Sequence, residues 1–155
     1  MKDIHKILIV CTGNSCRSIM AEGYLTKRIR ELGLKEISII SSGTGAFPGL
    51  APTENTVEVM KRVGVDVSGY VSLALNKTHI QSADLILAME PKHKEVIVNM
   101  VPGADSKTYL LKEFALSGKK DDSVDDPIGM PLEFYGKTLE VIKDSIEGFL
   151  RWLKK

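Results

Sequence analysis

Both cysteines of this 155-residue chain fall in one short stretch, "VCTGNSCRS" at residues 10–18. Cys11 and Arg17 frame a C-x5-R spacing, with Thr12, Gly13, Asn14, Ser15 and Cys16 between them and Ser18 just beyond. An apolar run precedes the stretch and a helix-like pattern follows it. A loop of small polar residues that enters a helix can turn its backbone N–H groups inward. With the positive end of the helix dipole, these groups make an anion cradle. Arg17 adds a planar guanidinium that can hold two phosphate oxygens at once. The same field lowers a cysteine pKa from near 8.5 to roughly 3.5–7.5, so a thiolate at the floor of such a cradle is poised to attack phosphorus. A lone cysteine at the end of a buried strand is more often a small core residue; the strand–C-x5-R–helix arrangement argues against that reading here.

Attack on a phosphomonoester also needs an acid to protonate the leaving group. The candidates lie in "DDSVDDPIGMP" at residues 121–131. Asp121 and Asp122 read as a solvated acidic loop. Asp126 differs because Pro127 follows it, and proline biases the preceding residue towards extended backbone and stiffens the loop. That could hold a carboxyl over the cradle, although spacing alone does not bring the two segments together.

The elements that must position these residues alternate between strand and helix. Ile7 to Val10 is a short apolar run suited to a strand buried on both faces. Residues 18–33 read as a helix, with Ala21, Leu25, Ile29 and Leu32 on one face and Gly33 closing it. "EISII" (36–40), "DLILAM" (84–89) and "KTYLL" (107–111) read as further strands. Helices are predicted over 53–63, with Val57, Met60 and Val63 on one face, and over 91–100, where Pro91 suits a first turn. The last helix places Leu139, Ile142, Ile146, Phe149 and Leu153 at alternating spacings of three and four. This order predicts an α/β fold, an open parallel sheet flanked by helices. Ligands of such sheets bind beyond the carboxyl ends of the strands, where Cys11 stands.

Composition narrows the partners. The 21 basic and 20 acidic residues leave a net charge of +1, which gives no reason to expect nucleic acid or an anionic membrane. No apolar stretch approaches the roughly 18 residues of a membrane span, and "MKDIHKILIV" lacks the features of a signal peptide. The expected setting is the cytoplasm, with both thiols reduced. A length of 155 residues fits one domain, 1–155. His5, His79 and His93 are scattered and read as surface or structural residues. With no zinc-type spacing, no metal or other cofactor is implied.

"VCTGNSCRS" with "MAE" after it, "SSGTGAFPG" (41–49) and "DDPIG" (125–129) together resemble the low-molecular-weight protein tyrosine phosphatases, including the bacterial protein arginine phosphatase branch. The likeness covers nearly the whole chain. It implies a four-stranded parallel sheet of flavodoxin-like type and a two-step hydrolysis through a phosphocysteine. A phosphorylated protein would be the substrate, and inorganic phosphate or other oxyanions would bind as product or inhibitor. On that resemblance Cys11 is the nucleophile, Arg17 the phosphate clamp and Asp126 the general acid, later the base for water. Thr12 to Ser18 form the phosphate-binding loop; Asn14 and Ser18 hold it, and the Ser18 hydroxyl helps to stabilise the thiolate. Phe47 matches an aromatic wall of the substrate cleft. Cys16 matches a residue that can form a disulfide with the nucleophile under oxidation, protecting it from irreversible damage.

Three positions depart from the family's usual pattern. Ile19 replaces a common proline. Tyr70 stands where many members carry a histidine that buttresses the loop, so the support of Asn14 is expected to differ. Ser15 stands where tyrosine-specific members often carry isoleucine. A small polar residue there resembles the arginine phosphatases, and it is also common in the related arsenate reductases. The thioredoxin-coupled arsenate reductases need two further cysteines downstream, and none follows Cys16. A non-catalytic phosphate-binding module would be expected to lack the nucleophile or the acid, and both are present. Phosphotyrosine is the first expectation for the substrate, phosphoarginine the second, and the redox reading ranks below both.

Overall fold

The computed structural model describes residues 1–117 and 121–155. Its centre is strand β1 (Lys6–Cys11), in which Leu8, Ile9 and Val10 are wholly buried. It pairs in parallel with β2 (Ser38–Gly43) on one side and β3 (Leu85–Ala88) on the other; β3 pairs in parallel with β4 (Thr108–Leu110). The order is β2-β1-β3-β4, the flavodoxin-like arrangement expected. The chain leaves β1 towards one side of the sheet and later returns to its other side. The carboxyl end of β1 is therefore the topological switch point.

Each face of β1 has its own core, because successive side chains of a strand point to opposite faces. Ile7 and Ile9 pack with Met20 and Leu25 of α1 (Arg17–Glu31) and with Ile142, Ile146 and Phe149 of α5 (Leu132–Lys154). The same layer takes Val59 and Met60 of α2 (Glu54–Arg62). Leu8 and Val10 meet Ile80 of α3 (Lys77–Ser82) and Ile97 of α4 (Pro91–Met100). None of the helices among the described residues is long and apolar enough to cross a membrane.

The end of β2 and the presence of α3 differ from the sequence reading for physical reasons. β2 runs on through Ser41, Ser42 and Gly43 instead of stopping at Ile40, because Gly43 still pairs with Cys11 and the serines, although polar, are buried. α3 escapes periodicity because it has only six residues; its start is fixed by the Asn76 side chain, which accepts from the His79 N–H at 2.8 Å.

Candidate active site

The loop after β1 is held from outside by its carbonyls. Thr44 N–H donates to the Cys11 carbonyl (2.9 Å), Gly45 N–H to that of Thr12 (3.0 Å) and Thr53 N–H to that of Ser15 (3.2 Å). Within α1, Met20 N–H takes the Cys16 carbonyl at 2.9 Å. In a trans peptide the N–H of the next residue points opposite to the carbonyl. The N–H groups of Thr12, Gly13, Cys16 and Arg17 consequently face the other way, into the concavity of the loop, at the start of α1. Gly43 makes this packing possible: a Cβ there would collide with the Thr12 carbonyl oxygen and sit 3.0 Å from the Asn14 nitrogen. The bend itself falls at Asn14, which adopts φ +52°, a left-handed conformation that asparagine tolerates better than most residues.

Cys11 sits at the floor, buried and reduced. Its sulfur lies 2.9 Å from Ser18 Oγ and accepts from the Asn14 N–H at 3.3 Å. Asn14 and Ser18 are buried behind the floor. The Asn14 amide donates to Ser18 Oγ (2.7 Å) and to Ser41 Oγ (2.9 Å), while its oxygen accepts from Leu73 N–H (2.8 Å). Ser41 in turn donates to Glu22 Oε1 at 2.5 Å. Burial pushes the Glu22 carboxyl above its ordinary pKa, against the opposing effect of the Ser41 hydrogen bond. Support for Asn14 thus passes through Ser41 and Glu22; Tyr70 lies half-buried along the same groove as Glu22.

Arg17 reaches the floor from the first turn of α1 and is only 2% exposed. One arm of its guanidinium binds Glu90 (2.6 Å) and the Val124 carbonyl (2.8 Å); the other faces Asp126 at 3.5 Å. Burial would raise the Glu90 carboxyl, but the hydrogen bond and charge of Arg17 outweigh it and hold Glu90 below the usual range. Asp126 is kept in a tight turn by the Ile128 N–H, which donates to it at 3.1 Å.

These segments enclose a cavity of about 170 Å³ lined by Cys11, Thr12, Gly13, Ser15, Cys16, Arg17, Asp126 and Ile128. Of the residues expected at the site, Asn14 and Ser18 stand behind the cavity. Phe47 does not line it: the side chain is 77% exposed, on the loop that joins the Gly45 and Thr53 anchors. Cys16 is buried against Thr53 and Tyr135, its sulfur 3.6 and 3.8 Å from their hydroxyls.

Ser41 and Glu22 fall within the quoted motifs, "SSGTGAFPG" and "MAE", but nothing in those motifs gives either residue a role at the site. Glu90 and His93 lie outside the motifs, on either side of Pro91 at a helix start. His93, read from the sequence as a surface or structural residue, packs against the loop. It is buried, and its Nε2 lies 2.8 Å from Thr12 Oγ1. His5 is exposed and His79 half-buried. The arrangement as a whole offers a nucleophilic sulfur, an oxyanion cradle, a fixed cation and a carboxyl within one small cavity.

The sequence profile of the family described as low molecular weight phosphotyrosine protein phosphatase matches residues 6–155. A protein-arginine-phosphatase of Geobacillus stearothermophilus is 36% identical over 143 residues, 92% of either chain. An arsenate reductase 2 of Staphylococcus haemolyticus is 32% identical over 148 residues, 95% of this chain and 97% of the other. Among solved structures, a low molecular weight protein tyrosine phosphatase from T. tengcongensis superposes with a TM-score of 0.88 at 38% identity, covering 96% of this chain and 99% of that one.

Proposed function

The chain belongs to the low molecular weight phosphotyrosine protein phosphatase family, and on that premise we propose that it hydrolyses phosphotyrosine in proteins through a phosphocysteine at Cys11. The Cys11 thiolate attacks phosphorus while the bond to the tyrosine oxygen breaks, and Asp126 protonates that oxygen as it leaves. Water then attacks the phosphocysteine, its proton passes to Asp126, and the electron pair of the P–S bond returns to Cys11. Arg17 and the inward N–H groups hold the three phosphoryl oxygens throughout, where charge gathers in the transition state. Inorganic phosphate is the product, and other oxyanions compete for the cradle. No step calls on a metal or organic cofactor, and the reduced thiols suit the cytoplasm.

The observation that carries this reading is that Cys11, Arg17 and Asp126 line one cavity. Cys11→Ser tests it. Turnover of a phosphotyrosine peptide should vanish, because a hydroxyl is far harder to ionise than a thiol. Binding of inorganic phosphate, followed by calorimetry, should persist because backbone and Arg17 build the cradle. Full activity in that variant would rule the mechanism out.

Phosphoarginine is the second reading, favoured by Ser15, whose small polar side chain lines the cavity. A branched aliphatic residue there would pack against an aromatic ring but would leave the donors of a guanidinium unpaired. Ser15→Ile should shift the ratio of kcat/KM values towards phosphotyrosine. A ratio that stays put removes Ser15 as the discriminator.

A further inference from the structure

Thr12 is among the residues that line the cavity, and the two steps above leave its side chain unused. Its methyl faces Gly45, where a Cβ would sit 3.9 Å from it, and its Oγ1 meets His93 Nε2 at 2.8 Å. A β-branched side chain fixed on both arms keeps one rotamer.

The direction of the His93 contact follows from the other ring nitrogen. His93 Nδ1 lies 3.1 Å from the Glu90 N–H and accepts from it. A neutral imidazole then carries its hydrogen on Nε2 and donates it to Thr12. The ring is 1% exposed; burial, and then the charge of Arg17, push its pKa down to about 4, so it is neutral near pH 7. With its oxygen taken as an acceptor, the Thr12 hydroxyl still has its own hydrogen to give. Thr12 shares the cavity with Cys11 and Asp126, so a water held there is an acceptor for that hydrogen.

We infer that Thr12 is a further catalytic residue, which holds the hydrolytic water of the second step, and that His93 is the residue that positions it. The inference rests on the phosphocysteine mechanism. In the first step the oxygen in front of Asp126 belongs to the substrate and is held by its own bond to phosphorus. In the second step a free water takes that place, and one hydrogen bond to the Asp126 carboxylate does not by itself fix its orientation. A donor from Thr12 supplies the second hydrogen bond and turns a lone pair towards phosphorus. The water oxygen then bonds to phosphorus as the P–S bond breaks, the electron pair goes to Cys11 Sγ, and the water proton goes to Asp126. Thr12 keeps its hydrogen.

The test is the partition of the phosphocysteine between water and glycerol, with an aryl phosphate as substrate. In the parent, inorganic phosphate and glycerol phosphate form in a fixed ratio. Thr12→Val should slow hydrolysis roughly 3- to 10-fold, the worth of one hydrogen bond, with the rate of the first aryl-alcohol release held within about twofold. The share of glycerol phosphate should rise, because the alcohol does not depend on the lost contact as water does. Thr12→Ser should restore the parent ratio, and His93→Gln should shift it in the same direction as Thr12→Val. Should Thr12→Val lose its thermal transition, Thr12→Ala and His93→Gln carry the test. An unchanged partition with both steps slowed equally would overturn the inference and leave Thr12 a packing residue. A parent from which acid quenching during turnover recovers no phosphocysteine, and which transfers none of its phosphoryl groups to glycerol, would instead remove the reading beneath it.

Discussion

Asn14 Nδ2 lies 2.7 Å from Ser18 Oγ, and that contact decides which way the Ser18 hydrogen points. The Asn14 oxygen is taken by the Leu73 N–H, so its amide can only donate. Ser18 accepts that donation and directs its own hydrogen to the Cys11 sulfur at 2.9 Å. Ser41 accepts the other and directs its hydrogen to Glu22. The polarity of the chain of bonds is thereby set from Leu73 to the Cys11 sulfur.

Ser41→Ala should destabilise the fold by about 1–3 kcal/mol in urea unfolding, the usual cost of leaving buried polar groups without a partner. It strips the Glu22 carboxyl of its donor and one Asn14 hydrogen of its acceptor. Turnover should fall less than stability, because Ser18 and Leu73 still hold Asn14. A variant as stable as the parent would show that the Ser41–Glu22 contact contributes nothing.

Asp126→Asn should slow hydrolysis about 10²- to 10⁴-fold for substrates with poor leaving groups, the range of general acid catalysis, and less for activated esters. Asp125 is exposed and does not line the cavity, so Asp125→Asn should keep most of the activity. Equal losses would mean that the acid has been wrongly assigned.

Mild peroxide should inactivate the enzyme and added thiol should restore it, if Cys16 captures the oxidised Cys11 before irreversible damage. Both sulfurs belong to residues lining the same cavity. Mass spectrometry of the inactive form should find a Cys11–Cys16 bond. If Cys16→Ala recovers as fully as the parent, Cys16 is only packed against Tyr135 and Thr53.

Acid should weaken the fold through His93. Its pKa is depressed from 6.5 to about 4 on folding, first by burial and then by Arg17. Between these values the unfolded chain binds a proton that the folded chain refuses, so this contribution to stability falls as pH drops from about 6.5 to about 4 and levels off below. Thermal midpoints measured across that window should fall less steeply in His93→Gln than in the parent. Parallel slopes would contradict a neutral buried imidazole.

The residues of one contiguous stretch were legible without coordinates. C-x5-R between an apolar run and a helical pattern marks a loop with a candidate nucleophile and a candidate clamp, because each depends on neighbours a few positions away. The same locality made the 91–100 helix readable to the residue and missed the six-residue α3. It could not reveal what braces the loop. Arg17 and Glu90 lie 73 positions apart in the chain, and Thr12 and His93 lie 81 apart. Nor could it show that Phe47 would stand exposed while Ile128 lines the cavity. Those contacts follow from the strand order. β1 sits between β2 and β3, so the loop at its end receives Ser41 from one neighbour and the Glu90–His93 turn from the other. No local periodicity encodes which strands lie side by side; that is settled only when the helices pack on both faces of the sheet and bury its apolar surface.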